Sequence, residues 1–160
     1  MNIMSGIAES VQLMFRRPRR EQFAALCYRI SPNTQKPEIL LLTSRDTGRW
    51  VIPKGWPMGN KPGHEVARQE AYEEAGVVGE PEPQPFGHFC YDKGMDHGVT
   101  IPCRVQVHVV KVTSMLKDFK EKGKRKIEWV NPVLAEQRVQ EPELKQLIHR
   151  FSGRFDTVAG

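Results

Sequence analysis

At 160 residues and 18.3 kDa the chain has the size of one domain, large enough to bury a core without disulfides or a structural metal. Its 39% hydrophobic and 27% charged residues exclude a disordered chain, and no window approaches the ~20 apolar residues of a membrane span, so no membrane partner is expected. The 24 Lys and Arg against 19 Asp and Glu leave a net charge of +5, which favours phosphorylated metabolites, RNA or acidic lipid without choosing among them.

Residues 1–20 read as a basic tail or short helix, and residues 21–160 as the domain. Ile3 to Phe15 is mildly apolar, but it carries Glu9 and precedes Arg16, Arg17, Arg19 and Arg20. A secretory signal places positive charge first, so export is not expected. Cys27, Cys90 and Cys103 are odd in number, widely spaced and without a C-x-x-C pair. They read as small apolar residues in a reducing, cytoplasmic setting rather than as a disulfide frame or zinc site.

Phe23 to Ile30 and Glu38 to Thr43 are predicted strands joined by a turn through Ser31-Pro32-Asn33 and Pro37, and Arg49 to Pro53 is a short third strand. Gly55 to Gly63 is a loop. A helix follows, with Pro62 in its first turn and Gly76 as its C-terminal cap. Glu80 to Pro85, with prolines at 81, 83 and 85, is read as irregular. Phe86 to Asp92 is a predicted strand. Val105, Val107 and Val109 alternate with Arg104, Gln106 and His108 as in a half-buried strand. Lys126 to Val130 is the last strand, and a second helix begins at Pro142, with Leu144, Leu147, Ile148 and Phe151 on one face. Strands interleaved with two helices make a layered α/β or α+β domain.

The chemistry concentrates in Gly55 to Val77. On the predicted helix, Glu70, Glu73 and Glu74 stand at i, i+3 and i+4, so three carboxylates share one face. Like charges so placed cost a few tenths of a kcal/mol per pair. A hard divalent cation, Mg²⁺ or Mn²⁺, turns that repulsion into coordination and commonly bridges such carboxylates to substrate phosphates. The competing reading is a solvated acidic stripe balanced by Lys61 and Arg68.

The segment resembles the Nudix box, G-x5-E-x7-R-E-U-x-E-E-x-G-U, with U a bulky apolar residue. Gly55, Glu70, Glu73, Glu74, Gly76 and Val77 match it, while Ala71 is a small residue at the first U position. Lys61 stands where the box has its first Glu and Gln69 where it has Arg, and no shift of register repairs either. Beyond the box, Ala24-Ala25-Leu26, Tyr28-Arg29, Leu40 to Arg45, Arg49 to Pro57, Tyr91-Asp92-Lys93, the surroundings of Trp129 and Glu141 to Leu144 look like bacterial Nudix proteins of the diphosphoinositol-polyphosphate type. The likeness covers about residues 22 to 151.

The resemblance implies a Nudix fold, an α/β/α sandwich around a mixed β-sheet. It also implies Mg²⁺-dependent hydrolysis of a phosphoanhydride in a diphosphoinositol polyphosphate, a dinucleoside polyphosphate or a related phosphorylated small molecule. Glu73 and Glu74 then become metal ligands with the Gly55 carbonyl, and Glu70 a ligand or the base that orients water. Glu121 is the candidate acidic ligand from outside the box. The usual Arg can fix a box carboxylate by charge-assisted hydrogen bonds of ~1.5–3 kcal/mol each, and Gln69 can donate without charge. Arg45, Arg49, Lys54, Lys61 and Lys93 are candidates to bind polyphosphate, and Tyr28, Trp56 and Tyr91 to stack on a base. His64, His88, His97, His108 and His149 show no ligand spacing and read as structural or surface residues. The departures at Lys61 and Gln69 motivate an alternative, a catalytically silent Nudix module that binds a nucleotide or RNA. An RNA 5′-end hydrolase, resting on the N-terminal arginines, is not favoured.

Overall fold

The computed structural model describes residues 18–156, and the readings over residues 1–17 and 157–160 lie outside them. Arg20, expected in the tail, opens the first strand. The described residues build eight strands, β1 (Arg20–Ile30), β2 (Pro37–Thr43), β3 (Trp50–Val51), β4 (Lys54–Gly55), β5 (Val77–Pro81), β6 (Gly87–Gly94), β7 (Thr100–Met115) and β8 (Ile127–Val130). Three helices accompany them: α1 (Gly63–Ala75), α2 (Pro132–Arg138) and α3 (Pro142–Asp156).

The sheet runs β3-β2-β1-β7-β5, with β4 also on β1, β6 on β7 and β8 on β2. β1 and β7 pair in parallel from Arg20↔Cys103 to Tyr28↔Lys111, and the other pairings are antiparallel, so the sheet is mixed. A central parallel pair is covered on both faces, which is why β1 carries the unbroken buried run Ala24-Ala25-Leu26-Cys27. Ala24 and Leu26 face α2 and α3 with Val105, Val107, Val109, Leu144, Ile148 and Phe151. Ala25 and Cys27 face α1 with Leu40, Leu42, Ala67, Ala71 and Val110. The result is the expected α/β/α sandwich.

Helix α1 starts and stops where its flanking residues dictate. Pro62 is its N-cap, one step outside the first turn where it was expected, with φ −64° and ψ 155°. Gly76 closes the helix in the left-handed region at φ 69°, its N–H directed at Ala71 and Tyr72 carbonyls. A side chain there is doubly disfavoured, because a Cβ would also lie 2.6 Å from Phe119 Cδ1.

Three expectations are corrected. The stretch around Pro81 is partly ordered: β5 pairs with β7 as far as Pro81, whose missing N–H falls at the strand's last residue. Helix α2 was not foreseen. The Asn131 side chain accepts its Leu134 N–H at 2.9 Å, and Pro132 occupies the first turn. β7 is not half-buried in its middle, since His108 is as enclosed as its valine neighbours; its Nδ1 donates to the Glu82 carbonyl at 2.9 Å. Cys27 and Cys103 are buried, Cys90 is half-buried and all three thiols are free. No helix among the described residues is long and apolar enough to cross a membrane.

Candidate active site

β4 hydrogen-bonds to β1 through Phe23↔Gly55 and Ala24↔Lys54, which brings the strand end beneath α1. The Glu70 carboxylate rests directly on Gly55, where a Cβ would meet Oε1 at 2.1 Å. One helical turn on, Glu73 Oε1 accepts from Gln69 Nε2 at 3.3 Å and lies 3.7 Å from Lys120 Nζ. Glu74 is buried, with the Lys54 backbone N–H 3.4 Å from its Oε2.

Glu121 joins this cluster from the segment between β7 and β8. Its backbone N–H donates to the Glu73 carbonyl at 3.0 Å, fixing the segment against α1. Between Glu74 and Glu121 lies Arg125, half-buried at 12% side-chain exposure, with Nη2 3.4 Å from Glu74 Oε1 and 3.1 Å from Glu121 Oε1. Its Nη1 donates to the Thr43 carbonyl at 3.2 Å, and its buried Nε has no partner.

Burial dominates the electrostatics, with neighbouring charges second. Burial, followed by the charges of Glu74, Glu73 and Glu121, pushes Glu70 up to about 8. Burial also raises Glu74 to about 7, outweighing the opposing Arg125 and Lys54. The Lys54 ammonium is lowered to about 8, again chiefly by burial. Among the described residues no three acidic, histidine or cysteine groups already converge at ligating geometry, and Arg125 holds two of the four carboxylates. The donor set nevertheless fits a hard divalent cation. All its ligands are oxygens, burial pushes two of the carboxylates toward protonation, and the cradle over Gly55 has room for no side chain.

Beside the cluster is a polar cavity of about 380 Å³ lined by Arg45, Lys54, Lys93 and Arg125, with Gln22, Ser44 and Glu74. Of the five basic candidates, Arg45, Lys54 and Lys93 reach it. Arg49 does not. Its guanidinium turns to Gln140 at 3.2 Å and to the buried Glu141 at 2.6 Å, tying β3 to the start of α3. Lys61 stays exposed on the loop before α1, away from the cavity lining. Tyr28 packs on Phe151 and Phe155 rather than facing the cavity.

No family model matches the chain. It is 34% identical over 116 residues to human diphosphoinositol polyphosphate phosphohydrolase 3-beta, covering 69% of this chain and 63% of that protein. Rat diphosphoinositol polyphosphate phosphohydrolase 2 is 33% identical over 116 residues, or 57% of its length. Among solved structures, the C. elegans Ap4A hydrolase superposes with a TM-score of 0.64 at 20% identity, over 85% of this chain and 98% of the other. The NUDIX domain of Shewanella oneidensis NrtR, complexed with ADP ribose, gives 0.63 at 14% identity over 96% and 99%.

The chain belongs to the Nudix family. It spans somewhat less than two thirds of the length of the curated Nudix relatives it matches. That class of hydrolases generally uses divalent metal ions. Within this Nudix fold, Gln69 makes an uncharged hydrogen bond to Glu73. Arg125 and Gln22 escaped the reading of the sequence. The only signal for Arg125 was its i, i+4 spacing from Glu121, submerged in a lysine-rich stretch. Gln22 had none, since its position follows only from the register of β1.

Proposed function

We propose that this Nudix protein hydrolyses a phosphoanhydride bond in a diphosphoinositol polyphosphate or a dinucleoside polyphosphate, with Mg²⁺ as the working ion and Mn²⁺ as a substitute. The observation that carries this reading is the seating of the Glu70 carboxylate on Gly55, in a cluster with Glu73, Glu74 and Glu121 that borders a cavity of cations. The printed names of the human and rat relatives, and of the Ap4A hydrolase that shares the fold, support the substrate class.

Glu70, Glu73, Glu74 and Glu121, with the Gly55 carbonyl, would hold the metal. When bound, it supplies charge neutralisation on phosphate oxygens and an acidified water. Arg45, Lys54, Lys93 and Arg125 orient the polyphosphate by charge-assisted hydrogen bonds. Glu70, seated on Gly55 beside the other carboxylates, would serve as a metal ligand or as the base that orients the attacking water. Gln69 holds Glu73 without charge, so the ligand is less firmly oriented than with the box Arg.

Glu73→Gln and Glu74→Gln are expected to abolish turnover with the fold intact by circular dichroism. Full activity in both variants overturns the site assignment. Arg125 favours one second reading, a catalytically silent ligand-binding module, because its guanidinium already neutralises Glu74 and Glu121. Such a module binds its ligand equally well in chelator, and metal-dependent product formation from any pyrophosphate counts against it.

A further inference from the structure

Exposed apolar residues scattered singly need no explanation, but three of them gather around one corner of this fold, where α1 ends and β5 begins. Tyr72 is 41% exposed, Met115 39% and Leu116 37%. Tyr72 lies one turn before Gly76, Met115 pairs with Val77 in the sheet, and the Leu116 N–H donates to the Gly76 carbonyl at 2.8 Å. The Phe119 ring closes on Gly76 from the same segment, and the Glu121 N–H ties the segment to the Glu73 carbonyl. The segment is therefore pinned to α1 at both ends, and its apolar side chains are held out in water.

The same segment is basic. From Met115 to Lys126 six cations stand against two anions, Asp118 and Glu121. Arg125 and Glu121 turn inward to the carboxylate cluster, while Lys120 and Lys122 are paired with Glu73 at 3.7 Å and Asp118 at 3.0 Å. Lys117 and Lys124, both exposed, have no carboxylate within ion-pair distance among the described residues. The Lys122 N–H donates to the Phe119 carbonyl at 3.2 Å and the Lys124 N–H to the Glu121 carbonyl at 3.1 Å. These turns keep the lysines on one compact loop with Met115 and Leu116.

We propose that this corner docks on an anionic membrane surface, with Tyr72, Met115 and Leu116 entering the boundary between headgroups and acyl chains and Lys117 and Lys124 meeting the lipid phosphates. Charge complementarity around an apolar centre selects this occupant. A nucleic acid offers phosphate but nothing to bury methionine and leucine, and recognition of single phosphates favours the planar fork of arginine over the hydrated point charge of lysine. A bilayer offers both. Its surface potential attracts lysine, its boundary takes apolar side chains, and the phenol of a tyrosine suits the headgroup level. The hydropathy of the chain speaks only against a span, and a contact that lies on the membrane needs none. The docking surface does not rest on the hydrolase reading and uses none of the residues that line the cavity.

The test is co-sedimentation of the full chain, in chelator, with vesicles of phosphatidylcholine alone and of phosphatidylcholine mixed about three to one with phosphatidylserine. The protein is expected to partition onto the mixed vesicles only, and less as salt rises. Lys117→Ala combined with Lys124→Ala weakens partitioning about tenfold at low salt. Met115→Ser combined with Leu116→Ser weakens it about three- to ten-fold, by a factor that salt does not alter. Lys36→Ala combined with Arg104→Ala removes the same charge from exposed positions elsewhere and binds as the wild type does. Unaltered partitioning in both loop variants, with unchanged melting temperatures, overturns the docking surface. So does a wild type that ignores both kinds of vesicle at low salt, or loop variants that lose affinity for single-stranded RNA and not for lipid.

Discussion

The carboxylate of Glu70 and the Cα of Gly55 are in such close contact that no side chain fits between them: a Cβ on Gly55 would lie 2.1 Å from Glu70 Oε1 and 2.3 Å from Cδ. Gly55 is thus needed for the position of a carboxylate fifteen residues away in sequence, not for a special backbone angle. What gives way under substitution is the free end of a side chain.

Gly55→Ala is therefore expected to move Glu70 rather than unfold the strand. Unfolding in denaturant should register a loss of less than about 1 kcal/mol while turnover falls at least about tenfold. Gly79→Ala is the contrast, because a Cβ there meets the Lys111 carbonyl at 2.6 Å, backbone that cannot swing aside. It should cost about 1–3 kcal/mol. Equal stability losses in the two variants, with activity retained in Gly55→Ala, would contradict this division.

The raised Glu70 and Glu74 set the sign of a pH dependence in metal-free protein. Both carboxyls hold their protons in the folded state to about 8 and about 7, against 4.5 when unfolded. The folded state therefore binds more protons than the unfolded state across this window, and stability falls as pH rises from about 4.5 to about 8. Melting in chelator across that range should show the decline, and Glu70→Gln should flatten it. A metal-free protein that grows more stable over the same window refutes the account of these two groups.

Arg125 acts as an internal counter-charge to Glu74 and Glu121. Arg125→Ala strands the buried Glu74 carboxylate and should cost about 2–3 kcal/mol in chelator, below the figure for deeply buried pairs because its contacts are long. A divalent cation can replace the missing charge, so Mg²⁺ should raise the melting temperature of Arg125→Ala more than that of the wild type. Equal metal-induced shifts in the two proteins would show that Arg125 and the cation do not compete for the same carboxylates.

Restoring the box residue gives a further expectation. Gln69→Arg exchanges the 3.3 Å amide contact to Glu73 for a charge-assisted one and should raise kcat several-fold. A fall in kcat would mean that Glu73 is better held by the uncharged partner, with Lys120 3.7 Å away already supplying charge.

Local pattern made much of this molecule readable. Glu70, Glu73 and Glu74 share a face because helical spacing requires it, and Gly76 ends the helix because it adopts positive φ freely. Alternation misled at β7: period two locates the strand, but it cannot reveal that α1 covers the second face and buries His108. Asn131-Pro132 is a helix-start signal, but the seven residues of α2 are too few to show a helical apolar period beside it. Charges were the least legible. Arg49 and Lys61 look no different in sequence from Arg45 and Lys93, and only the fold decides that Arg49 is spent on Glu141 while Arg125 enters the site.

Phosphorus NMR of wild-type protein mixed with Mg²⁺ and a panel of diphosphoinositol polyphosphates, diadenosine polyphosphates, ADP-ribose, nucleoside triphosphates and 5′-triphosphate RNA tests the central claim most directly. Cleavage of a diphosphoinositol or dinucleoside polyphosphate, absent in chelator and absent in Glu73→Gln, is the predicted result. A folded protein that leaves the whole panel intact in Mg²⁺ and in Mn²⁺, yet binds a member of it in chelator, would contradict the claim and identify a silent binding module.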